Sequence, residues 1–277
     1  MRAWLAAPLA LVLGVFLVLP LAALLVVSVF DYDSVQIIPA FVLDNYREVL
    51  TSPVVWRTYL NTAKYAVLTW AVTLAVGFPV AYFLAFQVRT KLMQTVLLLV
   101  CTVPFLTSNI IRMISWIPVL GRNGLVNGAL TSAGVAGAPF DVLLYSDLSI
   151  VLAFVHLYAL FMIVPVFNAM ARMDHRLIEA AVDAGAGPFQ VVRTVVVPLC
   201  APGIAIGSVF VVTLVMGDFV TVQVMGGGQR ASVGLMIYNQ IALLQYPAAC
   251  ANAVVLLAIV LTMVAAILHV VDIRGEL

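Results

Sequence analysis

Six long apolar stretches, none broken by an acidic, lysine or arginine side chain, run through the chain at 8–30, 65–86, 92–111, 148–170, 199–217 and 248–271. Each has about the 20 residues that a helix rising 1.5 Å per residue needs to cross about 30 Å of hydrocarbon. The pattern predicts an all-α integral membrane protein with six transmembrane helices in one domain, 1–277. The first run follows Arg2 as the core of a secretion signal would. It is longer than the roughly 7–15 residues of such a core and has no clear A-x-A site before Asp31, so it predicts a retained first helix.

The polar connections orient these helices. With a cytoplasmic N-terminus, Arg89 and Lys91 fall in a very short inner loop, Arg172, Arg176 and Arg193 in the next, and Arg274 in the tail. The three connections on the other face are long and carry most of the acids: Asp31, Asp33, Asp44, Glu48, Asp141 and Asp147. Basic density therefore predicts that both termini are cytoplasmic. On the outer side, Asp44 reads as the N-cap of a short surface helix, because Tyr46, Val49 and Leu50 follow at helical spacing. Gly121-Arg122-Asn123-Gly124 is a turn signal. Gly226-Gly227-Gly228 has no preceding strand and no following lysine, so it reads as a flexible loop and not as a phosphate cradle.

Composition removes the soluble alternatives. The chain is 65% hydrophobic and 9% charged, against roughly 45–50% and about 25% in soluble domains, and its mean hydropathy is +1.18. A net charge of +1 leaves no electrostatic footprint for nucleic acid. Cys101, Cys200 and Cys250 lie in or beside apolar runs without metal spacing and read as packing residues. Lys64 and Lys91 are not preceded by glycine, so the phosphate-binding pattern G-x-x-x-x-G-K-[ST] is missing and ATP is not hydrolysed here. His156, His175 and His269 form no H-E-x-x-H, and G-x-S-x-G is missing too, so the chain does not read as an enzyme and no metal site is expected. His156, alone in an apolar helix, reads as a hydrogen-bonded packing residue.

The longest inner connection, 172–197, combines polar residues with a helical pattern. Good helix formers run from Arg176 to Ala184, Gly185 offers a left-handed cap, and Pro188 suits the first position of a second helix. Ala180, Ala181 and Gly185 leave a face with almost no side chain, open to close approach by another protein. Glu179 and Asp183, four apart, are neighbours ready for basic groups on that partner. An ordinary amphipathic connector would look much the same.

Glu179-Ala180-Ala181, Gly185 six residues after Glu179, and Val195-x-Val197-Pro198 together resemble the E-A-A…G…I-x-L-P loop of membrane permeases of ATP-binding-cassette (ABC) importers, with valines where Ile and Leu are usual. The likeness extends over nearly the whole chain. Pro104-Phe105-Leu106-Thr107-Ser108-Asn109, Ile111-Arg112, Ser115-Trp116-Ile117, Leu120-Gly121-Arg122-Asn123-Gly124-Leu125-Val126-Asn127, Gly217-Asp218-Phe219-Val220-Thr221 and the triple glycine are similar to the spermidine/putrescine-type subfamily. The resemblance implies the six-helix type-I importer (MetI-like) architecture in a bacterial inner membrane. It also implies a second homologous permease, two ATPase subunits and an extracytoplasmic substrate-binding protein as partners. ATP and Mg would then be bound by the ATPase and no cofactor by this chain. Coupling to the ATPase would fall to Glu179, Ala180, Ala181, Asp183, Gly185, Pro188, Phe189 and Pro198.

Asn109, Arg112 and Trp116, spaced by three and four, share one helical face near an outer helix end. They read either as interface anchors or as part of the solute pathway. Asp218, followed by Phe219, stands at the outer end of the fifth run, as a helix-end residue or a selectivity group. Asp218 suits a cationic amine and Arg112 a carboxylate or phosphonate. The resemblance favours a polyamine, with opines, amino acids and aminophosphonates open. The rivals are an ion-coupled secondary transporter and a membrane scaffold, but the runs are nearly free of the ionisable groups that ion coupling uses.

Overall fold

The first apolar run becomes helix α1, Leu11–Val27, most of whose side chains point outward, as suits a helix solvated by lipid. This is a computed structural model, and it describes residues 8–9, 11–33, 36–88, 90–135 and 138–270. Arg2, Arg89 and Arg274, which entered the orientation argument, and Val271 lie outside the described residues. After α1, β1 (Asp31–Tyr32) pairs antiparallel with β2 (Ile37–Ile38), so the protein is mostly helical rather than all-α. The helices that follow are α2 (Asp44–Thr51), α3 (Pro53–Gln87), α4 (Lys91–Leu106), α5 (Asn109–Leu120) and α6 (Leu125–Ser132). Then come α7 (Asp147–Ala171), α8 (His175–Asp183), α9 (Pro188–Leu199), α10 (Ala201–Gly217), α11 (Val220–Gly226), α12 (Val233–Ala242) and α13 (Tyr246–Val270).

Among the described residues, three helices are long and apolar enough to cross a bilayer, over Pro53–Gln87, Asp147–Ala171 and Tyr246–His269. Two bent pairs raise the number to five: α4 with the stretch Asn109–Ser132, bent by 87°, and α9 with α10, bent by 69°. The expected run 65–86 starts earlier, at Pro53, because a proline opens the helix and Arg57 and Lys64 sit in it without ending it. The run 92–111 is not one straight helix. Pro104 opens a tight 3-10 turn, Thr107 is extended, and Ser108 starts a new helix at Asn109. The run 199–217 starts at Ala201, after a break at Cys200 flanked by Pro198 and Pro202, which cannot donate to the helical ladder.

The chain divides into two compact units, Met1–Asn61 with Ser232–Leu261, and Thr62–Ala231 with Thr262–Leu277. In the first, Val49, Val55, Tyr59, Val233 and Ala251 form the core, and the Tyr59 hydroxyl donates to the Asn252 carbonyl at 3.0 Å. Asp44 does not cap α2. Leu43 occupies the cap position, and Asp44 is the first helical residue with no capping bond. Asn45 instead holds the preceding turn, donating to the carbonyls of Ser28 at 3.1 Å and Phe30 at 2.8 Å.

In the second unit α7 is the central bar, burying Phe154, Leu157, Met162, Val166 and Met170. Helix α10 lies against it through two glycines one turn apart. A Cβ on Gly203 would stand 2.6 Å from the Pro165 carbonyl oxygen, and one on Gly207 2.8 Å from Met162 Sδ. This is the small-x-x-x-small contact that lets membrane helices approach backbone to backbone.

Candidate coupling and pathway sites

The segment after α7 folds as the two-helix elbow its sequence describes. Asp174 caps α8 by accepting from the Arg176 N–H at 3.0 Å. The helix stops at Gly185, whose φ of +85° lies in the left-handed region. The Gly185 N–H donates to the Val182 carbonyl at 2.8 Å and the Ala186 N–H to the Ala181 carbonyl at 3.0 Å, the pair of bonds of a Schellman cap. Pro188 opens α9, where its missing N–H is not needed. Pro198 lies near the far end of α9, just before the 69° bend.

Glu179, Ala180, Asp183, Gly185, Pro188 and Pro198 are exposed, Ala181 is half-buried, and Phe189 is 79% exposed. Leu177 and Val182 add apolar surface to α8. The elbow is fixed to the end of α3 by an edge-on contact of His175 with Phe86, ring centres 5.5 Å apart. What it presents is small, apolar and acidic surface on a well-capped frame.

A second site occupies α5, α7 and α10. A cavity of about 380 Å³ is lined by Asn109, Met113, Tyr158, Gly217, Asp218 and Phe219, among others. The structure thus brings Asn109, Asp218 and Phe219 together, whereas Arg112 and Trp116 are not in its wall. Asp218 is a helix-end residue, and it also lines the cavity. One oxygen accepts the Thr221 N–H at 2.9 Å, which caps the start of α11, and the other accepts the hydroxyls of Thr221 at 2.7 Å and Tyr158 at 2.6 Å. Beside the cavity, aromatic rings follow one another from Phe154 through Tyr158 and Phe161 to Phe210, with Phe105 edge-on to Phe161.

Arg112 is 7% exposed, donates to the Asn109 carboxamide oxygen and lies over the Phe105 ring, 5.0 Å from its centre. Its Nε and Nη1 are buried without a hydrogen-bond partner, a costly arrangement for a charged group. Trp116 donates its indole N–H to His156 Nδ1 at 3.0 Å, so His156 is the bonded packing residue expected and Trp116 ties α5 to α7.

A third cluster escaped the sequence reading. At the N-terminus of α7, Asp147 accepts from Lys64 at 2.7 Å and from the Tyr65 hydroxyl at 2.8 Å, with Arg230 Nε at 3.5 Å. Nearby, Gly226 to Gly228 do not form the flexible loop expected. Gly226 is the buried last residue of α11, and Gly227 and Gly228 take φ of +55° and +75°. A Cβ on Gly227 would fall 2.3 Å from Tyr145 Cδ1. Tyr158 could have been suspected from the Phe154, Tyr158, Phe161 spacing, and the α7–α10 contact from Gly203-x-x-x-Gly207. Nothing local pairs Lys64 with Asp147.

The chain as a whole is similar to known proteins. The family described as "Binding-protein-dependent transport system inner membrane component" matches residues 73–273. The chain is 29% identical over 229 residues to the spermidine/putrescine transport system permease protein PotB of Escherichia coli, 82% of each chain. It is 34% identical over 127 residues, 46% of each chain, to the spermidine/putrescine transport system permease protein PotC of the same organism. Its fold matches that of a chain from the bacterial alginate ABC transporter in complex with alginate pentasaccharide-bound periplasmic protein. The TM-score is 0.76 at 17% identity, covering 99% of this chain and 96% of that one.

Proposed function

We propose, because this chain belongs to the family of binding-protein-dependent transport system inner membrane components, that it is one of two permease subunits of an ABC importer for a small polyamine. The chain is a non-catalytic, multi-pass component of the inner membrane. In the proposed arrangement α1 completes six crossings with both termini cytoplasmic, and the elbow at α8 and α9 lies on the cytoplasmic side. The observation that carries the coupling assignment is the Gly185 elbow: an exposed surface of small and acidic residues, on a helix capped at both ends, has no use inside a bilayer. Glu179 and Asp183 would meet basic groups of the ATPase, Ala180, Ala181 and Gly185 would let its groove approach, and Phe189 would enter an apolar pocket. Pro188 and Pro198 would fix the ends of α9. ATP and Mg would be bound by that partner, and closure around nucleotide would move the elbow as a rigid body.

A second, related permease is supported by the likeness to both PotB and PotC, two permeases of the spermidine/putrescine system of one organism. An extracytoplasmic binding protein is supported by the family description and by the alginate complex. For the solute, the Asp218 carboxylate backed by Tyr158 and the neighbouring rings suits an ammonium group, by charge and by cation–π attraction. Arg112, buried behind the cavity residue Asn109 with Nε and Nη1 unmet, favours a second reading, in which the solute is an opine, amino acid or aminophosphonate whose acid group its charge attracts.

The test is uptake into proteoliposomes holding the assembled transporter and its binding protein. Labelled spermidine should accumulate only with ATP, and putrescine should compete while amino acids, opines and aminophosphonates do not. Uptake driven by an ion gradient without ATP would reject the importer reading, and competition by acidic solutes alone would reject the polyamine.

A further inference from the structure

A larger pocket, about 540 Å³, opens in the second unit, apart from the Asp218 cavity and beside the Pro198 end of α9. Val67 and Trp70 of α3, Val197 of α9, Ala201 and Ser208 of α10, and Ala266 of α13 are among its lining residues. Its polar groups are already satisfied within the protein. The Trp70 indole N–H donates to Ser208 Oγ at 2.8 Å, and the Ser208 hydroxyl donates to the Ile204 carbonyl at 2.7 Å. An occupant therefore meets hydrocarbon along the walls and needs no hydrogen bonds there.

Charge appears just beyond the lining. Arg193 stands four residues before Val197, about one turn along the same helical segment, exposed and with no ion-pair partner among the described residues. His269, also exposed, is three residues beyond Ala266 in the last turn of α13. The wall also straddles the 69° bend, since Val197 precedes Cys200 and Ala201 follows it.

We propose that this pocket holds an acyl chain of an anionic phospholipid whose phosphate lies against Arg193. The inference goes beyond the transport reading and does not depend on it. A transmembrane helix of a partner would make no use of the Arg193 cation, whereas a phospholipid uses both the apolar lining and the charge one turn beyond it. A flexible acyl chain fills such a space, and the surface potential of a membrane rich in anionic lipid draws its headgroup to an unpaired arginine. Lodged across the bend, the lipid braces α9 against α10.

The test uses the full chain in its assembled transporter, in nanodiscs of phosphatidylcholine containing phosphatidylglycerol, with retained lipid read by native mass spectrometry. Wild type should retain phosphatidylglycerol in preference to phosphatidylcholine, and Arg193→Gln should cut that preference about five-fold, while Arg193→Lys keeps it. Ala266→Trp, at an exposed position of the rim, should displace both lipids. Should that variant fail to assemble, Val67→Trp fills the pocket from an exposed position on α3. Glycerol phosphate, which has no acyl chains, should not compete. Equal retention of the two lipids by wild type, or retention unaffected by the filling variants, would overturn the proposal. So would a cross-link from a cysteine at 266 to a helix of the second permease, which would make that helix the occupant.

Discussion

Replacing Gly185 separates backbone strain from docking, because the structure makes the two costs independent. Its φ of +85° is left-handed, which costs an ordinary L-residue about 1–2 kcal/mol and asparagine less. A Cβ built there meets nothing within 4 Å, so strain is the whole price inside this chain. The Asn, Ala and Val series therefore climbs from a few tenths to about 2 kcal/mol, at most roughly a 30-fold bias against the bent elbow. Packing of α8 against the end of α3 and of α9 against α10 opposes that bias. If the ATPase sits on this face, the two valine methyls stand where its groove must come, and the loss exceeds the strain. The assay is co-purification of the ATPase and solute-stimulated ATP hydrolysis, both normalised to membrane-inserted permease. Asn and Ala variants should stay within about five-fold of wild type, and Val should lose both activities by well over the roughly 30-fold that strain alone allows. Valine behaving like alanine would show that no partner closes on this face and would remove the coupling assignment.

Four further outcomes are expected. Asp218→Asn keeps the size and removes the charge, so uptake of a cationic solute per assembled complex should fall about ten-fold, whereas a purely helix-capping role would lower the yield of folded complex and leave normalised uptake intact. Gly227→Ala combines left-handed strain with a Cβ 2.3 Å from Tyr145 and should cost about 2–3 kcal/mol, read as a lower unfolding midpoint in detergent. Gly203→Leu should separate α10 from α7 at the Pro165 carbonyl and abolish assembly, while Gly14→Leu, where nothing lies within 4 Å, should be tolerated. A cysteine at Asn123 should react with an impermeant thiol reagent from the extracytoplasmic side, and labelling from the cytoplasm alone would reverse the proposed orientation.

What the sequence made legible is what local chemistry decides. The run at 148–170 became Asp147–Ala171, because hydrophobic length and a Ser146 capping box both act within a few residues. The elbow was readable for the same reason: a glycine that must turn left-handed and a proline that suits a helix start fix its geometry without distant help. Hydropathy is blind to direction, however. The 87° break after Leu106 and the 69° break at Cys200 occur inside apolar sequence, where prolines interrupt the backbone ladder but the side chains stay oily. It also underestimates length, as when α3 carries Arg57 and Lys64 through to Pro53. Asp44 lost its capping role to geometry, since the chain enters α2 one residue earlier than the residue type suggested. Cross-chain partners were the least legible: Lys64 meets Asp147 across 83 residues, and Tyr158 reaches Asp218 across 60.

If the elbow receives the ATPase as proposed, the second unit offers a route from it to the cavity without a flexible linkage. Helix α9 leads through one bend into α10, and α10 ends at Gly217, next to Asp218. Seventeen residues of helix place the two about 26 Å apart. Close packing of Gly203 and Gly207 on α7 brings the two backbones into near contact along this length. Tyr158 on α7 and Asp218 after α10 are joined by a 2.6 Å hydrogen bond, so a displacement that slides α10 along α7 changes the cavity wall at that bond. The bend at Cys200 is then the point where movement of α9 is either absorbed or passed on. A pocket-filling acyl chain there stiffens the bend, and removing it should weaken the response of the cavity to the elbow before it weakens assembly.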